Sequence, residues 1–418
     1  MKQLSNITCT GCSLACNDLV IEIEKNKVVK IWGSCSHGTK RLKELPENRV
    51  KCSEKDTDNA IEKAIEILSS ARKPLIYGFN LSTNKSIEIG LEIASKVNGV
   101  FDSEPSICQL HIPIAKEFKI KNLRFEEILE KSDFIIYLFV NLADTHLRHA
   151  SKYAVFPRGE YVKSGRESRI VLSIGYRDYE TMKISQHNIK VNIGNELELV
   201  EKLKNLFINE KVEELKKFNL SAEASMLLLN DYRSSTFISS FIGSHILVNI
   251  MANQVYRGIV SLIKEIENSG KISTLIPLAE ELNSMGAAII PYNKYGFTHA
   301  IEFSDGNINY NPSITSGIAK LMRDEVDAAL IVGSDPFTHL PLSIASKLKK
   351  IPVIYIGVRE TLTSKISRVA IPTTITGVES GGKIYRTDGV EVELTPFLEP
   401  PSEVMNEEDI LSKILRGL

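Results

Sequence analysis

The spacing of hydrophobic residues changes repeatedly along this chain and predicts alternating helices and strands. Apolar residues at positions 61, 64, 65 and 68 recur at helical spacing, and Asn59 followed by Glu62 predicts a capping box where that helix begins. Continuous apolar runs predict strands that are covered on both faces, as in parallel sheets. These runs cover residues 74–78, 134–140, 169–175, 245–250, 327–333, 353–357 and 369–372. The fold class is therefore predicted to be α/β, with Rossmann-like, doubly wound lobes.

The first 57 residues differ from the rest, because their apolar residues alternate with polar ones. Residues 19–24 and 27–32 form two such alternating runs, which predict a β-hairpin within a small β-rich domain. We predict that two lobes follow. One is discontinuous and consists of residues 58–125 and 318–418, and the other, residues 126–317, is inserted into it.

Composition and charge narrow the class of protein. The 418 residues are 43% hydrophobic and 25% charged, as in ordinary globular proteins, and two or three domains are expected. The 51 basic residues balance 52 acidic ones, so no global charge favours a nucleic-acid partner. No apolar run approaches the roughly 20 residues of a membrane helix. The first residues run directly into a cysteine-rich segment and leave no room for a signal peptide, so we expect a cytoplasmic protein.

Four cysteines near the start of the chain predict an iron–sulfur site. Cys9, Cys12 and Cys16 lie on one short segment, and Cys35 follows the predicted hairpin, which returns the chain. Four thiolates are what a four-iron four-sulfur (4Fe-4S) cluster requires. Structural zinc also binds four sulfurs, but usually through two Cys-x-x-Cys pairs, and the second half here has Cys35 alone. The cluster is the preferred interpretation, with zinc and unliganded thiols as the alternatives.

Small or polar residues follow several of the predicted strands, at the end where doubly wound sheets bind ligands. Such residues let backbone amides approach a phosphate. A glycine after a strand is more often a simple turn, but the strand ends together predict a nucleotide-like ligand. The chain has neither the GxGxxG motif of nicotinamide-binding folds nor a P-loop. The strand-end residues are Asn141, Gly175 to Arg177, Gly333, Ser334, Asp335 and Gly357 to Arg359.

Residues 148–177 are unusually basic and also contain aromatic residues and a proline. That content predicts an ordered loop, and arginines suit bidentate binding of a pyrophosphate. A solvated surface loop is the alternative interpretation. The cations are Arg148, Lys152, Arg158, Lys163, Arg166, Arg169 and Arg177, against only Glu160 and Glu167.

Five segments together resemble the catalytic B subunit family of formylmethanofuran dehydrogenases, within the molybdopterin oxidoreductase superfamily. They are CTGCSLACND with Cys35, VNLADTHLRHASKYAVFPRGEYVKSGRESR, YNPSITS, GSDPFTHLP and GVESGGKIYRTDGV. The resemblance implies one 4Fe-4S cluster and two molybdopterin guanine dinucleotides that hold tungsten or molybdenum. It implies reversible two-electron reduction of CO2 to formate, with electrons entering through the cluster. It also implies partner subunits, namely an amidohydrolase, a small pterin-capping barrel and ferredoxin-like polyferredoxins, with no nucleic acid and no membrane.

The resemblance extends to individual site residues. The metal ligand is Cys108, with His111 as a catalytic candidate beside it, and a soft thiolate suits such a metal. Judged without the resemblance, Cys108 would be a small buried apolar residue; Cys52 has no counterpart in the family motif and is expected to be structural. The implied cofactor-binding residues are Asn141, Arg148, Arg158, Arg166, Arg177, Thr181, Gly333, Ser334 and Asp335.

Three positions depart from the family pattern. Gln109 follows Cys108 where the family has histidine, so His111 is the nearest substitute. Gly175 stands where the family has an aspartate that holds a nucleotide group, and residues 286–293 occupy the region of the family's MRGHYN-type segment. These departures keep two other functions open: a different formate dehydrogenase-like enzyme, and a non-catalytic electron-transfer or scaffold subunit that retains the cluster.

Overall fold

The computed structural model describes residues 1–43, 49–103, 123–212, 215–248 and 251–418. Cys108 and His111 lie outside these residues. The chain divides into two compact units. Unit 1 consists of Met1–Gln109, Glu281–Arg386 and Glu391–Leu418, and unit 2 of Leu110–Glu280 and Thr387–Val390.

The described residues form strands and helices that alternate along most of the chain. The strands are β1 (Lys2–Ile7), β2 (Leu19–Glu24), β3 (Lys27–Trp32), β4 (Pro74–Gly78), β5 (Val100–Asp102), β6 (Phe134–Leu138), β7 (Ile170–Gly175), β8 (His187–Lys190), β9 (Phe237–Ile242), β10 (Ile272–Pro277), β11 (Ile301–Ser304), β12 (Asn307–Asn309), β13 (Ala328–Val332), β14 (Val353–Gly357), β15 (Val369–Pro372), β16 (Gly382–Tyr385) and β17 (Glu391–Leu394). The α-helices are α1 (Ser36–Lys43), α2 (Thr57–Ser70), α3 (Asn84–Lys96), α4 (Phe125–Lys131), α5 (Leu142–Thr145), α6 (Glu196–Phe207), α7 (Ala222–Ser234), α8 (Ala252–Asn268), α9 (Ser284–Tyr295), α10 (Pro312–Thr315), α11 (Gly317–Met322), α12 (Pro336–His339), α13 (Leu342–Ala345), α14 (Leu362–Ile366) and α15 (Glu407–Gly417). A π-helix covers Ala150–Val155, and 3-10 helices cover Gly165–Ser168, Glu180–Ile184, Lys216–Phe218, Ser244–Val248 and Ser346–Lys350.

Unit 1 is built on a seven-stranded sheet in the order β12-β11-β5-β4-β13-β14-β15. All the neighbours from β5 to β15 pair in parallel, and every residue of β4, β13, β14 and β15 is buried, as continuous apolar runs predict. The chain leaves β4 towards β5 on one side, while β13 to β15 extend the sheet on the other side. The order therefore reverses between β4 and β13, and such a switch point opens a crevice at the carboxyl ends of the strands.

Unit 1 also contains a three-stranded antiparallel sheet in the order β1-β2-β3 and the two-stranded sheet of β16 and β17. The predicted hairpin is confirmed, because Val20 pairs with Trp32 and Glu24 with Lys27. The loop after β1 packs on the rest of the unit through Ala15, which shares a buried cluster with Leu282, Ile384 and Leu394.

Unit 2 is built on a five-stranded, wholly parallel sheet in the order β10-β9-β6-β7-β8. Its order reverses between β6 and β9, which gives a second switch point. The short segment 387–390 belongs to this unit. The Thr387 hydroxyl donates to the Pro277 carbonyl and accepts from the Ala279 N–H at 3.2 Å, and a carboxylate oxygen of Asp388 accepts from the Phe125 N–H at 2.8 Å.

Three predictions about local structure and boundaries need correction. Residues 244–248 form a 3-10 helix instead of part of a strand. The strand lies earlier, at β9, where every residue is buried although two serines interrupt the apolar sequence FISSFI. Helix α2 begins earlier than predicted, because the carboxylate of Asp56 accepts from the Asn59 N–H at 2.9 Å and is the N-cap. Residues 281–317 lie in unit 1 rather than in the inserted lobe, since β11 pairs with β5. The cysteine region groups with unit 1 as well.

Within the residues that the structure describes, no helix combines the length and apolar character required to cross a lipid bilayer.

Candidate functional site

The four N-terminal cysteines come together in unit 1. The Cys9 N–H donates to the Cys16 carbonyl at 2.7 Å, which closes the loop between them. Cys9, Cys12 and Cys16 are buried, and the half-buried Cys35 directly precedes α1. Burial raises the pKa of the Cys12 thiol far above its ordinary value, and the three neighbouring thiols raise it further. A bound metal would reverse this shift, because cationic neighbours stabilise the thiolate.

Two glycines allow the cysteine loop to approach α1 closely. A Cβ atom on Gly38 would lie 2.6 Å from Cys9 Sγ, and one on Gly11 would lie 2.7 Å from the Gly38 nitrogen. The Gly11 N–H also points at Cys9 Sγ, at 3.4 Å. Backbone N–H groups directed at sulfur are among the contacts that tune iron–sulfur clusters. The donor set and its enclosure therefore fit a 4Fe-4S cluster.

In the described part of the chain, no three His, Cys, Asp or Glu side chains are placed to bind a single metal ion. That finding concerns sites whose ligands all share one ion. A 4Fe-4S cluster instead binds each cysteine to a different iron and holds its four ligands farther apart.

A pocket of about 230 Å³ opens at the carboxyl ends of the strands on one side of the unit 1 switch point. Backbone and hydroxyl groups from the ends of β13, β14 and β15 line it, and Arg41 enters from α1. The lining residues at the strand ends are Gly333, Ser334, Asp335, Gly357, Val358, Arg359, Thr373, Thr374 and Thr376. The position, the hydroxyls and the two arginines suit a phosphate-bearing ligand.

Arg41 and Glu407 bring buried charges to this pocket. The Nε of Arg41 and one carboxylate oxygen of Glu407 are buried without a hydrogen-bond partner in the described structure. Burial, followed by the neighbouring Arg359, lowers the pKa of Arg41, and burial raises the pKa of Glu407. An unpaired buried donor and acceptor are costly, so both groups are available to a ligand that carries an anion and an N–H or O–H donor.

The structure places Gly333, Ser334 and Asp335 together at this pocket. Gly333 has a φ of +61°, which favours glycine in the turn. Asp335 is already engaged, because its carboxylate accepts from the N–H groups of Leu362 and Thr363 at 3.3 and 3.2 Å. Asp335 therefore holds the start of α14 against the pocket.

Asn141 and Thr181 meet at the carboxyl edge of the unit 2 sheet. The Leu142 N–H donates to the Thr181 hydroxyl at 2.8 Å, and the Thr181 hydroxyl donates to the Asn141 side-chain oxygen at 3.4 Å. Arg177 is exposed two residues after β7, and its guanidinium lies 6.0 Å from the Tyr179 ring. Arg148 is half-buried just before the π-helix.

Arg158 and Arg166 lie at the opposite edge of this sheet, where its strands begin. The Arg166 carbonyl accepts from the side chain of Gln186, the residue before β8. A Cβ atom on Gly159, next to Arg158, would lie 2.0 Å from the Glu130 carbonyl oxygen in the last turn of α4, just ahead of β6. Arg158 and Arg166 therefore lie at the edge of the sheet where the strands begin, whereas Arg177 follows the carboxyl end of β7.

Arg169 is fully buried, and its guanidinium binds backbone carbonyls of neighbouring segments. Its guanidinium donates to the carbonyls of Ser132 at 2.7 Å, Leu129 at 3.2 Å and Pro157 at 3.4 Å. Two of these carbonyls end α4, where a cation also complements the helix dipole. Burial lowers the pKa of Arg169 to about 10, so the group remains protonated at neutral pH.

Gly175 ends β7 beneath an aromatic ring. A Cβ atom at this position would lie 2.2 Å from the Tyr179 ring, so the ring occupies the space into which a side chain at 175 would project. The Tyr179 hydroxyl in turn forms a hydrogen bond of 3.0 Å with His245 Nδ1. At this strand end, Tyr179 and His245 therefore lie beside Gly175, the position at which the family pattern has an aspartate.

Solved structures define the class of fold. No protein-family model matches the chain. Its fold matches the X-ray crystal structure of the formyltransferase/hydrolase complex (FhcABCD) from Methylorubrum extorquens in complex with methylofuran, with a TM-score of 0.69 and 16% identity over 88% of this chain and 97% of that one. It also matches acetylene hydratase from Pelobacter acetylenicus, with a TM-score of 0.68 and 12% identity over 99% of this chain and 69% of that one.

Curated relatives then give the particular resemblance. The chain is 26% identical over 429 residues to the B subunit of the tungsten-containing formylmethanofuran dehydrogenase 2 of Methanocaldococcus jannaschii, covering 100% of this chain and 98% of that protein. The protein of the same name from Methanococcus maripaludis is 24% identical over 431 residues, covering 100% of this chain and 99% of that protein. The resemblance found in the sequence motifs is confirmed, since homologues along the full chain are named as this oxidoreductase component.

Sequence reasoning missed Arg41, Glu407 and the threonines that follow β15 (Thr373, Thr374 and Thr376) as pocket residues. Arg41 lies on a short, polar helix. Its position six residues after Cys35 was the only feature of the sequence that could have marked it as a pocket residue. Glu407 begins the last helix of the chain, where an acidic residue is ordinary.

Proposed function

We propose that this chain is the redox subunit of a formylmethanofuran dehydrogenase-like complex. Cys9, Cys12, Cys16 and Cys35 would hold a 4Fe-4S cluster, and the strand ends of the two units would each bind one molybdopterin guanine dinucleotide. One observation supports this most strongly: helix α1 starts beside Cys35 and carries Arg41 into the strand-end pocket of the same unit. A cluster and a phosphate-bearing cofactor would therefore share one short helix.

The metal–pterin centre supplies the two-electron exchange between CO2 and formate, CO2 + H⁺ + 2e⁻ giving HCOO⁻, which is the redox half of formylmethanofuran oxidation. The chain's own residues bind and orient. Arg41 and Arg359, which line the pocket, would neutralise phosphate charge there, and the backbone amides after β13 and β14 would bind phosphate oxygens. Cys108, whose sulfur is a soft donor, would hold tungsten or molybdenum. His111 would handle the proton in place of the residue that Gln109 replaces.

The experiment compares the native complex carrying wild-type chain, Cys12→Ser and Cys52→Ser. We expect the wild-type complex to carry about four irons per copy of this chain beyond those of its ferredoxin-like subunits, together with tungsten or molybdenum and guanine nucleotide released by acid. Cys12→Ser removes a thiolate ligand and should lose the iron and its visible absorbance. Cys52→Ser is the matched control, because Cys52 packs against the core of unit 1 and its thiol donates to the Asp56 carbonyl at 3.3 Å. Equal iron in both variants, or one zinc and no iron in wild type, contradicts the cluster assignment.

A second candidate is a non-catalytic subunit, and one observation favours it. The fold neighbour from Methylorubrum extorquens belongs to a complex named for formyl transfer and hydrolysis, and not for oxidation. A native complex that contains neither pterin nor tungsten nor molybdenum, yet assembles fully, would support this function. A complex that oxidises formate but forms no formylmethanofuran when methanofuran is supplied would instead support a separate formate dehydrogenase.

A further inference from the structure

The loop of residues 156–166, called the basic loop here, lies where the strands of the unit 2 sheet begin. Strands of five or six residues span about 17–20 Å, so this loop is on the far side of the sheet from Asn141 and Thr181. Its cations are therefore not used by a ligand at the strand ends. The loop needs another explanation, because it combines exposed arginines with exposed aromatic rings.

Hydrogen bonds hold the backbone of the basic loop in place. The Gly159 N–H donates to the Val162 carbonyl at 2.8 Å, and the Glu160 N–H donates to the Glu130 carbonyl at 2.7 Å. Val162 is fully buried beneath the loop, and the buried guanidinium of Arg169 holds the Pro157 carbonyl. The exposed side chains are thus held by an ordered backbone, which lowers the entropy lost when a partner binds.

The exposed side chains of the basic loop are the types that dominate protein interfaces. Phe156 is 74% exposed and Tyr161 is 40% exposed. Arg158, Lys163 and Arg166 are exposed as well, and in the described structure none of the three forms an ion pair or side-chain hydrogen bond. The carboxylate of Glu160 lies 3.8 Å from Lys131 and so faces a different cation. Aromatic and arginine side chains together are typical binding hot spots.

We propose that the basic loop is a docking surface for an acidic face of another subunit of the complex. The proposal rests on the proposed function only in assuming a multi-subunit complex. Unpaired cations on one loop select a partner with carboxylates by charge complementarity. Arginines at 158 and 166 can each bind a carboxylate through two N–H groups, while Phe156 supplies the apolar contact that excludes water.

The test uses the native complex, purified through a tag on this chain. The double variant Arg158→Glu, Arg166→Glu reverses both charges, and Arg158→Lys, Arg166→Lys retains them. Lys25→Glu, Lys27→Glu is the matched control, with the same change in charge at exposed positions in unit 1. We expect the glutamate variant to lose one subunit, with an affinity at least about tenfold weaker. The lysine variant and the control should keep that subunit. Phe156→Ala should also weaken its binding, but without changing the salt dependence.

Carbodiimide cross-linking of the wild-type complex identifies the partner surface, because it joins Lys163 to a carboxylate in direct contact. Lysine substitution of the cross-linked Asp or Glu in the partner should restore binding to the glutamate variant. The proposal is overturned if the glutamate variant keeps all its subunits or if Lys163 cross-links to a second copy of this chain. It is equally overturned if association depends on nuclease-sensitive RNA or on vesicles of anionic phospholipid. The iron and tungsten bound to this chain itself remain at wild-type levels in every variant if only docking fails, which separates this outcome from failure of the proposed function.

Discussion

The contact between Gly38 and Cys9 gives the sharpest prediction for the cluster. Gly38 is the third residue of α1, and its φ is not in the left-handed region. In a helix without other contacts, Gly38→Ala would therefore stabilise the protein by about 0.5–1 kcal/mol. Here the new Cβ would lie 2.6 Å from Cys9 Sγ and 2.5 Å from Ser34 Oγ. Because ordinary contacts are roughly 3.5–4.0 Å, the sulfur has to move by about 1 Å.

A displacement of that size exceeds the tolerance of roughly 0.5 Å within which ligands must be held. Overpacking typically costs about 1–3 kcal/mol, which outweighs the gain in helix propensity. We therefore expect Gly38→Ala to lower both the iron content and the visible absorbance, and to lower the melting temperature of the loaded protein.

Gly258→Ala is the control for this experiment. Gly258 is also helical but belongs to unit 2, and its new Cβ would meet Val200 Cγ1 at 3.3 Å. It should keep the full iron content. If Gly38→Ala also keeps full iron and melts at or above the wild-type temperature, then Cys9 is not held against α1 as a ligand, and the cluster geometry described here is wrong.

Three further predictions address the pocket, unit 2 and the metal ligand. Because burial raises the pKa of Glu407 above its ordinary 4.5, the folded state binds the proton more tightly and loses stability as pH rises from 4.5 towards the folded-state pKa. Cofactor-free Glu407→Gln should therefore melt higher than wild type at pH 7 and equally at pH 4, and equal melting at pH 7 would refute this. Arg169→Met leaves three carbonyls without their donor and should destabilise unit 2 by about 3 kcal/mol in urea unfolding; a loss below about 1 kcal/mol would show that water replaces it. Cys108→Ser should abolish formate oxidation while the iron content is retained, and activity in a metal-loaded variant would eliminate Cys108 as the ligand.

The strands were predictable wherever both faces are covered. Residues 353–357 and 369–372 are wholly apolar or small, and β14 and β15 have the same bounds. Strand β9 was missed because Ser239 and Ser240 interrupt its apolar run, although both side chains are fully buried. Burial of small hydroxyl side chains in a central strand leaves no periodic signal.

The candidate site was predictable in part. The cysteine motif carries its chemistry in its spacing, so its location needed no tertiary information. The positions of the arginines in residues 148–177 could not be predicted in this way. Between Asn141 and β7 the chain runs from the carboxyl edge of the sheet back to the edge where the strands begin. The order of residues along this segment does not show which arginines lie at the carboxyl edge and which lie at the opposite edge. Arg148 and Arg177 lie near one end of the path, and Arg158 and Arg166 near the other.

The contribution of residues 387–390 to unit 2 has a consequence for biosynthesis. Residues 110–280 leave the ribosome long before Thr387 and Asp388, which complete the unit by binding Pro277, Ala279 and Phe125. During translation, more than a hundred residues after position 280 must be synthesised before the hydrogen bonds of Thr387 and Asp388 to the rest of unit 2 can form. A ligand that requires the finished unit must therefore be inserted after residues 387–390 have been synthesised.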